Sequence, residues 1–355
     1  MHPRILLRTH YQADEPRIII AVVTACSSPT ESRQESVIAS SLKSIVLRWG
    51  HEFGLPAAAY AVDNTRSIGF LNRSNRWTAA GLALAFLAEN QPDPAPIEQA
   101  FELSPSERML YSRQYLAGAG ALVINFGRWL LERGESTEDE LRRGGIVERL
   151  IVDALDEYLS IAVNIRDRTA IRQERDRIRG FKYKAITQRH KRRPLLTTMR
   201  RLYLLQEDPQ GIIRPDPDGR LSRLCHILPD VAALERAIAN GTGLRAALQA
   251  VHQNNADPTS DQPLLLSAQL GRAYTYAMGL GLQACPLEYL DRVLEATIPL
   301  SCLPQGTPGV ADLALGTLHK ERPRDVRFHV DRQGRRAFVV LSDLATRHLL
   351  DSTEG

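Results

Sequence analysis

Apolar residues recur along most of this chain at three- and four-residue intervals, which predicts a mainly helical fold. Arg17 to Thr24 (RIIIAVVT) departs from that rhythm. Its unbroken apolar run reads as a buried strand or an apolar arm, closed by the Ser, Pro and Thr cluster that follows. From near Thr30 the helical spacing sets in, with Val37, Ile38, Leu42, Ile45, Val46 and Trp49 on one face, and Gly54 to Pro56 stops it. Short β-like pieces and turn residues occupy Asp63 to Asn75, Trp77 to Leu87 forms an amphipathic helix, and Gln91 to Pro96 is a proline-rich linker.

Leu103-Ser104-Pro105-Ser106-Glu107 sets a cap, a first-turn proline and a capping-box glutamate in register, so a helix begins there. The helical period runs through Leu116 to Leu131, breaks at Gly134 and restarts at Ser136. A long central helix is expected from Ile146 to Arg179. Val147, Leu150, Ile151, Ala154, Leu155, Tyr158, Leu159 and Ala162 form its buried stripe, which fades into an arginine run expected to project as an arm. Helical Arg189 to Leu205 leads through a turn to the strand Ile212-Ile213, and Pro215 to Gly219 opens another helix. Pro229 to His252 is helical with an interruption at Gly241, and Asn254 to Pro263 is a polar linker.

Three helices are expected in the last segment, over Leu264 to Gln283, from Pro286 to Ile298, and over Val310 to His319. There the period changes to two: Val326, Phe328 and Val330 alternate with Arg327 and His329, and Ala337 to Leu341 is a second apolar run. Asp331 to Arg336 joins the two as a hairpin turn whose Gly334 suits a positive φ. The domains expected are 1–100, 101–253 and 264–355, with 254–263 as linker.

Charge changes this picture. The formal net charge is only +4, but residues 166–201 hold fourteen basic side chains and three acids, a net +11 that leaves −7 on the rest. Arg172, Arg175, Arg179, Lys182, Lys184, Arg189, Lys191, Arg192, Arg193, Arg200 and Arg201 are the candidate phosphate contacts within it. Such a stretch attracts polyanions and releases their counterions, and double-stranded DNA bound with little sequence preference is the first candidate partner. Arginine outweighs lysine in the first half of the run, which suits bidentate phosphate contacts, and Phe181 and Tyr183 interleave with Lys182 and Lys184. The competing reading is a solvated helix face paired with acids on neighbouring helices.

The order of three helices and a basic-tipped hairpin resembles the winged-helix superfamily. Asn75 to Leu84 and Arg214 to Leu221 look like degenerate versions of the same unit, with Gly81 and Gly219 in matching places. The resemblance implies tandem winged-helix-like units joined by the long helix. It puts Arg200 and Arg201 at the groove and Arg332, Arg335 and Arg336 on a wing. The third unit's helix, Val310 to Lys320, has no basic residue before His319, which points to docking or dimerisation there.

Catalytic signatures are missing from the sequence. There is no P-loop and no G-x-S-x-G elbow, and Ala117-Gly118-Ala119-Gly120-Ala121 reads as close helix packing. Asp153, Asp156 and Glu157 read as a solvated helix face, and Cys225-His226 lacks the further ligands zinc requires. Cys26, Cys225, Cys285 and Cys302 are scattered and read as reduced thiols. No signal peptide and no run of about 20 apolar residues occurs, so a cytoplasmic protein with no membrane partner is expected. The sequence therefore predicts a non-enzymatic DNA-binding adaptor without metal or cofactor. It would act with other protein subunits or as a homo-oligomer in a bacterial DNA-acting complex such as a genome-defence system. The alternatives are a scaffold docking an acidic protein, a transcriptional repressor, or a nuclease with an unrecognised site.

Overall fold

A computed structural model describes residues 3–4, 15–25, 29–49, 54–89, 101–143, 145–180, 185–240, 242–252, 262–299, 303 and 309–351, with backbone alone at 185–192, 242 and 262–264. These residues form a mainly helical protein with small antiparallel three-stranded sheets. The expected linkers 91–96 and 254–261 lie outside them, as do Phe181 and Tyr183, Cys26 and Cys302, and residues 262–263 belong to a helix.

The first unit comprises α1 (Pro16–Ala25), α2 (Glu35–Arg48), α3 (Leu55–Ile68) and α4 (Ala79–Glu89). The expected strand over Arg17 to Thr24 is the helix α1. Its apolar run is continuous because the helix is buried on two sides: Ile18, Ala21, Val22 and Ala25 enter a core with α2 and α3, while Ile19, Ile20 and Val23 enter the main core. A helix apolar all round and a buried strand read alike in sequence.

The second unit begins with α5 (Pro105–Arg133), where the expected capping box is present, Ser104 Oγ accepting from Glu107 N and Glu107 accepting from Ser104 N. Then come β1 (Ser136–Thr137), α6 (Glu138–Arg143), α7 (Ile146–Ile161), α8 (Ile165–Gly180), α9 (Ala185–Arg201), β2 (Leu205–Glu207), β3 (Ile212–Pro215), α10 (Arg220–Ile227), α11 (Val231–Asn240) and α12 (Thr242–His252).

The single long helix expected over 146–179 is two helices. The first ends at Ile161, where Ala162 takes an extended conformation, and Asn164 starts the second: its Oδ1 accepts from Asp167 N at 2.7 Å and its Nδ2 donates to Asp167 Oδ2 at 2.6 Å, a reciprocal N-cap. The arginine run in α8 does not project, because α8 folds back on α7 and buries Ile171 and Ile178. Likewise α9 ends at Arg201 rather than running to Leu205, since Tyr203 takes a left-handed φ of 57° and turns the chain into β2.

The third unit comprises α13 (Gln262–Gly279), β4 (Cys285–Pro286), α14 (Leu287–Thr297), α15 (Val310–Glu321), β5 (Val326–Val330), β6 (Arg336–Leu341) and α16 (Asp343–Asp351). Its sheet has the order β4-β6-β5, and the sheet of the second unit has the same topology, β1-β3-β2. The first unit carries a single bridge, Leu71 to Trp77, where the other two carry a hairpin.

In all three units the helix after the hairpin returns onto the first helix, α4 on α1, α10 on α5 and α16 on α13. A side chain caps each return: Thr78 Oγ1 accepts from Gly81 N, the Asp216 carboxylate from Arg220 and Leu221 N, and Ser342 Oγ from Ala345 N. Helix α14 lies against α4 and α5, so one hydrophobic core runs from α1 to α16.

Candidate nucleic-acid interface

The two hairpins and the bridged loop of the first unit share one turn. Asn72, Asp208 and Asp331 each present a side-chain oxygen to two backbone N–H groups. These belong to Ser74 and Arg76 (2.9 and 3.0 Å), Gln210 and Ile212 (2.9 and 3.0 Å), and Gln333 and Arg335 (2.8 and 3.0 Å). Each also donates its own N–H to the carbonyl four residues on, of Arg76, Ile212 or Arg335. The fourth position is left-handed in every case, with φ of 56° at Asn75, 77° at Gly211 and 76° at Gly334. Both carboxylates are held below the usual range, chiefly by the N–H of Ile212 for Asp208 and of Arg335 for Asp331.

The sequence carried a signal for this repeat in Asp208-Pro209-Gln210-Gly211 and Asp331-Arg332-Gln333-Gly334. The expected pairing of Gly81 with Gly219 is different in kind. Gly81 lies within α4, where a Cβ would collide with the Phe70 carbonyl, whereas Gly219 is a left-handed N-cap with φ of 71°.

The arginine run divides. Arg175 and Arg179 reach back to the two oxygens of Asp156 on α7, at 2.8 and 3.0 Å. Arg201 binds Glu15 at 2.8 Å and Glu102 at 3.0 Å; burial lowers its pKa, but these carboxylates outweigh it and the net shift is upward. Arg200 pairs with Glu207 of β2. By contrast, Arg166, Arg168 and Arg172 are exposed on α8 and make no ion pair with the described residues. Lys182 and Lys184 lie outside the described residues, as do the side chains of Arg189, Lys191 and Arg192.

Arg193, Arg200 and Arg201 line a cleft of about 730 Å³ together with Glu15, Glu102, Glu138 and Glu207. Four carboxylates against three guanidiniums make this cleft a poor anion trap.

The hairpins differ in the same way. In the middle one, Arg214 is held between Glu135 (2.9 Å) and Asp208 (2.8 Å), and Pro209 and Gln210 at the tip carry no charge. In the C-terminal one, Arg335 pairs with Asp331, and Arg336 pairs with Asp312 while lying over the Phe328 ring. Arg332, together with Arg324 and Arg327, is exposed there and forms no ion pair with described residues. The same holds for Arg73 and Arg76 at the first turn. Sequence reasoning passed over Arg73, Arg76, Arg324 and Arg327 because they lie outside the dense run.

Among the described residues no group of His, Cys, Asp and Glu could hold a metal. Cys225 is buried and its thiol is pushed up to about 12 by desolvation, so it is inert. His252 is half-buried against Ser112 Oγ at 2.6 Å, with its pKa pushed down to about 3 by desolvation and then by Arg108 and Arg220. No described helix is long and apolar enough to cross a membrane. Comparison with family models, curated proteins and solved structures yields no match to this chain.

Proposed function

We propose that this chain is a non-enzymatic DNA-binding adaptor built of three winged-helix-type units, a subunit of a larger machine that acts on DNA. The hairpins are its wings. The observation that carries the reading is the contrast between arginines held by carboxylates and those left exposed at the outer two turns and along α8. Free guanidiniums on rigid turns suit phosphate contacts that tolerate any sequence. Helix α15 supports no base reading over its first two turns, whose exposed positions Leu313 and Thr317 are uncharged, and its exposed charges Lys320 and Glu321 come only at its end. Arg175, Arg179, Arg200 and Arg201 are assigned to the scaffold, while Arg172, Arg332 and the basic side chains between 182 and 193 remain contact candidates.

Fluorescence anisotropy with a random 30-base-pair duplex tests the reading. Binding is expected to be tight at ~50 mM salt and to fall steeply by ~200 mM, as counterion release requires. Absence of binding at the lower salt, or multiple-turnover cleavage of the duplex by the chain, would overturn it.

A further inference from the structure

The C-terminal sheet has an inner face and an outer face. Cys285, Val326, Val339 and Leu341 are buried on the inner one. On the outer one, the register sets Pro286, Phe338 and His329 side by side across all three strands, with Arg327 opposite Val340 in the next row. Nothing among the described residues covers this face: Phe338 is 42% exposed, and His329 and Arg327 are exposed. A large aromatic ring on a solvated strand position loses hydrophobic stabilisation without gaining packing. Its surroundings are cationic, with seven basic residues against three acids between Lys320 and Arg336. Two of those acids are already engaged, Asp331 with Arg335 and Asp325 with Ser342.

An aromatic ring flanked by an imidazole and a free guanidinium on a rigid sheet is a platform for an unpaired base, with phosphates of the same strand reaching the arginines. Duplex DNA offers no base face to such a platform, since its bases are stacked on one another. Building on the proposed nucleic-acid binding, we infer that the outer face of the C-terminal hairpin sheet binds single-stranded nucleic acid, with a base stacked on Phe338 beside His329 and a phosphate on Arg327. The chain would then hold duplex through its free arginines and an unpaired strand through this face, as at a junction between the two.

The test uses the full chain with fluorescein-labelled dT30 and a 30-base-pair duplex, measured by anisotropy for native, F338A, F338W and R327A proteins. F338A is expected to weaken dT30 binding about tenfold, the scale of one lost base stack, with duplex binding unchanged. R327A should lower the salt slope for dT30 by about 0.7, one single-strand phosphate. F338W should bind dT30 as the native chain does, with tryptophan emission quenched on binding.

Native dT30 affinity in F338A, an equal loss for duplex and dT30, or no quenching in F338W would overturn the inference while leaving duplex binding intact. If F338A fails to fold, the F338W quenching decides alone. A native chain that binds neither probe defeats both this inference and the function it rests on. Native dimerisation abolished by F338A would assign the face to a second copy and overturn it as well. Unlabelled U30 as competitor separates RNA from DNA as the source of the strand.

Discussion

The middle and C-terminal hairpins have the same turn, the same sheet topology and the same return helix, yet opposite electrostatics. In the middle hairpin Arg214 is tied to Glu135 and Asp208, while Glu207 of β2 holds Arg200 of α9. In the C-terminal hairpin Arg324, Arg327 and Arg332 stand in solvent with no carboxylate partner among the described residues. The fold is repeated and the charge is not, so the charge of one copy is answered within the body of the protein and that of another is left exposed. A count of basic residues along the chain points instead to residues 166–201, because it cannot see which charges are already answered.

The largest effect is expected where arginines converge on one buried acid. Glu295 on α14 meets Arg113 of α5 at 2.9 Å, Arg245 of α12 at 3.1 Å and Arg292 at 3.7 Å, and burial, with Arg292 next, pushes the Arg113 pKa down to about 10. Glu295→Ala leaves three cations facing one another in a poorly solvated joint. Urea unfolding should show a loss of about 3 to 5 kcal/mol, the scale for breaking a buried charge pair. A loss below ~1 kcal/mol would break the claim that carboxylates organise the body.

Next comes a pH effect within that body. His252 is neutral when folded, with a pKa near 3, and ordinary at about 6.5 when unfolded, so the unfolded state takes up the extra proton. Stability contributed by this group is present above about pH 6.5 and is lost as pH falls toward 3. Between pH 7 and pH 5 the loss should be about 2 kcal/mol, and His252→Gln should flatten that part of the curve. Urea midpoints for the two proteins at several pH values would check it.

How much of this was legible in the sequence depends on how local the determinant is. The capping box at Ser104 and Glu107 and the hairpin between Val326 and Leu341 each rest on neighbouring residues, and both are present. The reciprocal cap at Asn164 and Asp167 is just as local and could have been read, but the apolar stripe running up to Ala162 disguised it. Helix α1 escaped because burial on two sides erases periodicity. The arginine run was plain, whereas its neutralisation was not, since Arg201 is answered by Glu15, 186 residues away, and by Glu102.

A smaller effect separates the hairpins directly. Asp208→Ala and Asp331→Ala each remove an acceptor for two backbone N–H groups, and each should cost about 1 kcal/mol in urea unfolding. Their consequences for binding should diverge. Asp331→Ala releases Arg335 and should tighten duplex binding at ~50 mM salt, while Asp208→Ala leaves Arg214 on Glu135 and should not change it. Equal effects on binding would mean that the two hairpins see the same partner.

The most direct measurement compares two triple variants by the salt dependence of duplex affinity: Arg324, Arg327 and Arg332 changed to Ala, against Arg200, Arg201 and Arg214 changed to Ala. If free arginines hold the phosphates, the first variant should lower the slope by about 2 to 3 with its urea midpoint preserved. The second should leave the slope unchanged and lose stability. A second variant with the shallower slope, or a first variant with the native one, would contradict the division of the arginines on which this account depends.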